Sequence, residues 1–248
     1  MPVVSISHVG KVRKNNEDSL LVKEPKLYAV ADGMGGYKAG EVASKAALDA
    51  LEQESANFDG KLGSALIIAI KKAMVAVNTK VYELATSRSE YEGMGTTLTG
   101  VYLPGHNEAY VFNVGDSRLY LLRGGKLSQI TKDHSLVAKM VEEGDITPQE
   151  AFDHPQRNIL LKGIGVDRVV TGDVFVLKVQ PSDTLLLCSD GLSDMLRDAE
   201  MEEIFKQNGL MAQSDALLQH ALDKGGRDNI SFIILSLIDN EEVDRDDR

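Results

Sequence analysis

Leu27-Tyr28-Ala29-Val30-Ala31-Asp32-Gly33-Met34-Gly35-Gly36 is the stretch on which the fold turns. Five apolar residues in succession predict a buried β-strand over 27–31, and the glycine-rich segment after Asp32 marks its end. A carboxylate beside a buried strand is costly unless it is paired or bound to a cation. The same few residues therefore predict both a sheet and a reason for an acid at its edge.

Working outward, residues 3–9 and 19–23 read as short strands before it, and two helical stretches follow it. An Ala-rich segment spans 39–56. A longer one spans 61–87, where Leu62, Leu66, Ile70, Ala73, Val77, Val81 and Leu84 recur at helical spacing. Strands come next at 97–103, 108–114 and 117–122, with turn signals at Pro104-Gly105 and Gly124-Gly125. Residues 135–152 read as short helices broken at Gly144 and Pro148. Strands return at 170–179 and 183–189, helices at 200–207 and 211–223, and a last apolar strand at 230–238. Strands in hairpin-like runs and helices in pairs give α+β order and not βαβ alternation. The expected architecture is a four-layer αββα sandwich, two antiparallel β-sheets flanked by helix pairs. It forms one domain over 1–240, and the charged tail 241–248 is expected to be disordered.

Composition excludes several classes. With 43% hydrophobic residues in 248, the chain can build a sizeable core, yet no apolar run approaches the roughly 18 residues of a membrane span. The first residues, Met1-Pro2-Val3-Val4-Ser5, do not read as a secretory signal. A single cysteine, Cys188, leaves no intrachain disulfide framework and suits a reducing cytoplasm. A formal net charge of −11 argues against nucleic acid as a partner. Nothing demands a dimer, so a monomer is expected.

The acids repeat one theme. Asp32, Asp116 and Asp190 each follow an apolar run, Asp228 precedes one, and Gly33, Gly115, Gly191 and Gly226 accompany them. A fifth acidic segment, Asn16-Glu17-Asp18, also sits before a strand. An Asp-Gly pair on its own is ordinarily a turn. Four such sites plus Glu17-Asp18, without a matching supply of nearby bases, favour carboxylates gathered around hard cations. All-oxygen ligation selects magnesium, manganese or calcium over zinc or copper.

Six motifs occur in order: Arg13-x-x-Asn16-Glu17-Asp18, Asp32-Gly33-Met34-Gly35-Gly36, Gly93-Met94-Gly95-Thr96-Thr97, Gly115-Asp116-Ser117-Arg118, Ser189-Asp190-Gly191 and Gly226-Arg227-Asp228-Asn229. In these the chain resembles the type-2C metal-dependent protein serine/threonine phosphatases, especially the compact bacterial kind, from about residue 5 to 238. Each motif is weak alone; six in order are specific. The resemblance implies the αββα sandwich and a centre of two Mn2+ or Mg2+ ions. Asp32 would bridge them, Asp190 and Asp228 would complete the first site, and Glu17 with the Gly33 carbonyl would serve the second, largely through water. Asp18 and Asn229 would lie in the supporting shell, and Arg13 would grip the substrate phosphate. Asp116 is either a ligand of a third ion, shared with Asp190, or a turn aspartate paired with Arg118.

Two cations sharing one water can lower its pKa towards neutrality, so that hydroxide attacks phosphorus without a protein nucleophile. The residues fit that route. Asp194 stands where a phosphocysteine mechanism would need arginine six places after Cys188, and no Gly-Asp-x-His-Gly segment occurs. Gly33-Met34-Gly35-Gly36 is no dinucleotide loop, because Lys38 takes the third glycine position and no βαβ unit follows. His134 beside Asp133 reads as a structural hydrogen bond, and His8, His106 and His220 lack an evident partner. Met34 cannot donate the proton that a histidine supplies at that place in eukaryotic relatives. Residues 136–157 resemble the mobile flap beside the active site, and Leu161-Lys162-Gly163-Ile164-Gly165 departs from the family's usual arginine and alanine.

The resemblance implies phosphorylated proteins as partners, including a bacterial serine/threonine kinase and that kinase's targets. A catalytically silent relative acting as a binding module is the rival from a different class. Such relatives usually lose a metal aspartate, whereas Asp32, Asp190 and Asp228 are all present. A switch phosphatase acting on an anti-sigma antagonist is a further alternative, though those proteins usually carry extra sensor domains.

Overall fold

The computed structural model describes residues 1–35, 39–105 and 107–237. Gly36, Lys38, His106 and the tail 241–248, each the subject of an expectation above, lie outside the described residues.

Two antiparallel sheets pack face to face. One has the order β1 (Val3–His8), β11 (Ile230–Ser236), β10 (Thr184–Cys188), β7 (Arg118–Arg123), β8 (Lys126–Gln129). The other runs β2 (Asp18–Lys23), β3 (Leu27–Met34), β5 (Leu98–Gly105), β6 (Glu108–Val114), β9 (Asp173–Lys178), with the two-residue β4 (Gly95–Thr96) paired to the end of β3. Helices α1 (Ala39–Glu54) and α2 (Gly63–Ser87) cover the outer face of the second sheet. Helices α6 (Asp198–Ile204) and α7 (Leu210–Asp223) cover the first. The expected αββα sandwich is the architecture found.

Period-two side-chain alternation explains the apolar runs. In β3, Leu27, Ala29 and Ala31 meet α1 and α2, while Tyr28 and Val30 face the opposite sheet. In β11, Ile230, Phe232 and Ile234 meet α6 and α7, while Ile233 and Leu235 face inward. Each strand is buried on both sides, so neither face can be polar. A buried Phe, Leu or Ile contributes about 1.5–3 kcal/mol, and two-sided strands collect that along their whole length.

Three local features differ from the sequence reading. β3 continues through Asp32 to Met34, because Gly33 and Met34 pair with Thr96 and Gly95 from far along the chain. Asp32 is thus inside the strand. β8 was not expected: only Leu127 of its four residues is apolar and buried. A short turn of helix, α5 (Asp190–Ser193), follows β10 directly. Between β8 and β9 the segment 136–161 carries α3 (Leu136–Glu143) and α4 (Pro148–Phe152). Ser135 caps α3 by accepting from the Ala138 N–H at 3.3 Å, and Thr147 forms a capping box with Glu150. Among the described residues no helix is long and apolar enough to cross a membrane.

Candidate active site

The acids meet at one end of the sandwich because strand register brings them there. Asp18 and Asp32 are Cα partners across β2 and β3. β10 delivers Ser189 and Asp190, and β11 begins just after Asp228-Asn229. The β1–β11 pairing then closes the largest sequence gap. Arg13 donates to Asp228 Oδ2 at 2.7 Å, and the Glu17 N–H donates to Asn229 Oδ1 at 2.8 Å. Asn229 also donates its amide to the carbonyls of Val9 at 3.0 Å and Asn15 at 2.9 Å, so it staples the Arg13–Asp18 loop to the last strand.

Asp32 is held by backbone. Its N–H donates to Thr97 Oγ1 at 2.9 Å, and its carbonyl accepts from the Thr97 N–H and the Thr96 hydroxyl, both at 2.9 Å. Burial pushes Asp32 well above the usual carboxylate range, and the charges of Asp18, Asp190 and Asp116 add to the shift. Burial raises Asp190 to about 7, with Asp194 and Asp228 contributing. Asp18 also rises to about 7, mainly through burial; hydrogen bonds from Ser231 and Ser189 oppose the shift, the Ser189 hydroxyl lying 2.8 Å from Oδ2. Its Oδ1 is buried without a hydrogen-bond partner. Asp116 is raised well above its ordinary value by burial and by Asp190 and Asp133. Glu17 is raised by burial, against the pull of Arg13. Crowded carboxylates disfavour one another's ionisation, and a cation reverses that sense.

Gly33 shows how tightly the backbone closes here. A Cβ on it would stand 2.1 Å from the Gly40 carbonyl oxygen and 2.5 Å from that of Glu17. The Glu17 carbonyl in turn accepts from the Gly33 N–H at 3.2 Å and the Ser44 hydroxyl at 2.6 Å, joining β3, α1 and the acidic loop.

The structure thus links Asp18, Asp32, Asp116, Asp190 and Asp228 in one electrostatic network: Asp32 feels Asp18, Asp190 and Asp116, while Asp18 and Asp190 feel Asp228, with Glu17 and Arg13 at the rim. One expectation is narrowed. Among the described residues no three His, Cys, Asp or Glu side chains form a ready-made cage for an ion. Both Asp228 oxygens accept hydrogen bonds, Oδ2 from Arg13 and Oδ1 from the Asn229 N–H at 2.8 Å. The turn pairing of Asp116 with Arg118 is not found. Arg118 instead grips Asp133 with Nε and Nη2 at 2.7–3.1 Å. His134 makes structural hydrogen bonds, as read, and His8 has a local one, accepting from the Gly10 N–H at 2.9 Å.

Sequence reasoning did not single out the hydroxyl framework. Thr97, Ser117, Ser189 and Ser231 are buried and bond one another or the acids. The adjoining motifs Gly95-Thr96-Thr97 and Asp116-Ser117 carried the available signal. Beyond Asp116 and Asp190 a cleft of about 850 Å3 opens between segment 136–161 and the α5–α6 stretch. Arg157 to Asp194 and Arg197 to Asp153, both 2.9 Å, cross it.

The sequence profile of the family Protein phosphatase 2C matches residues 8–225, and the chain belongs to that family. The serine/threonine phosphatase stp of Listeria innocua is 40% identical over 232 residues, covering 91% of this chain and 92% of that protein. The crystal structure of the Mycobacterium tuberculosis serine/threonine phosphatase PstP/Ppp superposes with a TM-score of 0.89 at 37% identity, over 96% of this chain and 99% of that one. The catalytic domain of PstP in complex with two manganese ions gives 0.86 at 36% identity, over 96% and 98%.

Proposed function

We propose that the protein hydrolyses phosphoserine and phosphothreonine on proteins with two Mn2+ or Mg2+ ions, opposing a serine/threonine kinase. The observation that carries this reading is the group of carboxyls at Asp18, Asp32, Asp116 and Asp190, each pushed upward, with an orphaned oxygen on Asp18. An all-oxygen donor set of this kind fits hard divalent cations.

Asp32 would bridge two ions, Asp190 and Asp228 would serve the first, and Glu17 with the Gly33 carbonyl would serve the second. Asp116 with Asp190 would take a third. Bound cations supply charge against the phosphoryl oxygens and lower the pKa of water at the site. The protein's own groups do the rest. Ser189 and the β2–β3 register orient Asp18, and Asn229 holds the Glu17 backbone. Arg13 offers a planar fork for the phosphate. Its ion pair with Asp228 is half exposed, 54% and 31% at the two side chains, and such a pair is worth only about 0–1 kcal/mol. Arg13 can therefore leave Asp228 for a phosphate at little cost, which frees Asp228 for a cation.

Hydrolysis of p-nitrophenyl phosphate and a phosphothreonine peptide, with and without Mn2+, tests the reading. We expect metal-dependent turnover that D190N and D228N lower by about 100-fold or more. Metal-independent turnover, or full activity in both variants, overturns it.

A further inference from the structure

His134 carries no role in the chemistry above, yet it joins four segments around the site. Its Nδ1 accepts from the Gly115 N–H at 3.1 Å, and its own N–H donates to the Gly115 carbonyl at 2.9 Å. Its Nε2 lies 3.2 Å from Asp173 Oδ2 at the start of β9. Its carbonyl accepts from the Leu161 N–H at 2.8 Å, and the adjacent Ser135 bridges to Leu160 and caps α3. Accepting at Nδ1 requires a neutral ring with its proton on Nε2, pointed at Asp173. Burial, the largest cause, and the charge of Lys162 lower the ring's pKa, which keeps it neutral.

Gly115 is the anchor this clamp needs. Its φ of +107° and the 2.6 Å that would separate a Cβ from Thr97 Cγ2 leave no freedom for a side chain. Thr97 bonds Asp32, as above, and its hydroxyl lies 2.7 Å from that of Ser117. A continuous path therefore runs from Asp32 through Thr97 and the 115–117 turn to His134, and from there into both ends of segment 136–161. Asp116 and the α3 residues Val137, Ala138 and Val141 all line the 850 Å3 cleft.

We propose that His134 is a positioning residue: it clamps the turn bearing Asp116 to the base of segment 136–161, fixing the spacing between these two parts of the cleft lining. This rests on Asp116 acting in the site as read above. The acceptor at Nδ1 is the working atom, and the bond to Asp173 sets the tautomer.

Two variants separate those roles. H134N keeps an acceptor near the Nδ1 position and loses the reach to Asp173. H134Q keeps that reach and loses the acceptor. In metal-free protein, amide exchange over 113–118 and 136–143 should quicken about tenfold or more in H134Q and stay near wild type in H134N. With Mn2+, kcat on p-nitrophenyl phosphate should fall about 10- to 100-fold in H134Q, with KM little changed, and H134N should recover most of it. Unchanged exchange in H134Q, or equal losses in both variants, overturns the proposal. If H134Q does not fold, H134N decides: near-wild-type exchange and turnover support the clamp, and their loss refutes it. D116N keeps the two readings apart. Full activity there removes Asp116 from the chemistry, while exchange in metal-free protein still decides whether the clamp exists.

Discussion

Replacing Gly33 by alanine tests how far the site depends on backbone proximity. The added methyl would meet the Gly40 carbonyl oxygen at 2.1 Å, its carbon at 2.4 Å and the Glu17 carbonyl oxygen at 2.5 Å. All three are main-chain atoms, so no side chain can rotate away. Reaching an ordinary 3.4 Å contact requires the Gly40 carbonyl of α1 to retreat by about 1.3 Å and the Glu17 carbonyl of the acidic loop by about 0.9 Å. Overpacking of this kind costs about 3 kcal/mol, the upper end for one inserted methyl. At about 2–4 °C per kcal/mol for a chain of this size, the melting temperature should fall by about 6–12 °C. The retreat also moves the Glu17 and Gly33 carbonyls, and displacements near 1 Å can cost about 100-fold in turnover. Circular dichroism melts, with p-nitrophenyl phosphate assays on the folded fraction at 25 °C, read both effects. A G33A protein that melts within about 2 °C of wild type and keeps its turnover would refute the reasoning.

Cations that bind only the folded chain stabilise it by mass action, about 2.7 kcal/mol at one hundred times Kd; a chelator should lower the melting temperature and Mn2+ titration should restore it. An unchanged melt in strong chelator counts against bound cations. Asp18 and Asp190, each raised to about 7, add a pH dependence to the metal-free protein. Their protonated forms favour the fold, so this contribution is full below about pH 4 and lost as pH rises through about 7. D190N should flatten that fall in differential scanning calorimetry between pH 5 and 8, and a slope as steep as wild type would contradict it. R118A leaves Asp133, which lines the cleft, without its guanidinium and should cost about 3 kcal/mol in chemical denaturation. R118K should recover only part, since a point charge cannot make the two-nitrogen contact; complete recovery would argue against the fork.

The layers were legible because they are written locally. The apolar runs of β3, β10 and β11 need no distant partner to be recognised, and α2 announces itself by periodicity alone. What escaped depends on which segment each residue meets, near or far along the chain, and not on local apolar patterning. β8 is short and mostly polar, and it is a strand because β7 pairs with it. The extension of β3 past Asp32 exists because Gly95–Thr96 returns to meet it. Asp133 as the partner of Arg118 has no signature in the sequence, whereas the Asp116 alternative was adjacent and visible. The acids themselves could be picked out, but the occupation of both Asp228 oxygens could not, because it needs Arg13 to arrive from 215 residues away.

The pairing of β1 with β11 bears on how the protein is made. Synthesis runs from the N-terminus, so the loop carrying Arg13 and Glu17 emerges long before the strand that must clasp it. Until Ile230–Ser236 slots between β1 and β10, the first sheet is split and Asp228 is not in place. Contacts of such high sequence separation are slow to close, because the intervening chain must give up its freedom first. On the reading proposed above, a nascent chain therefore gains its full set of acids only once Ile230–Ser236 has emerged and paired.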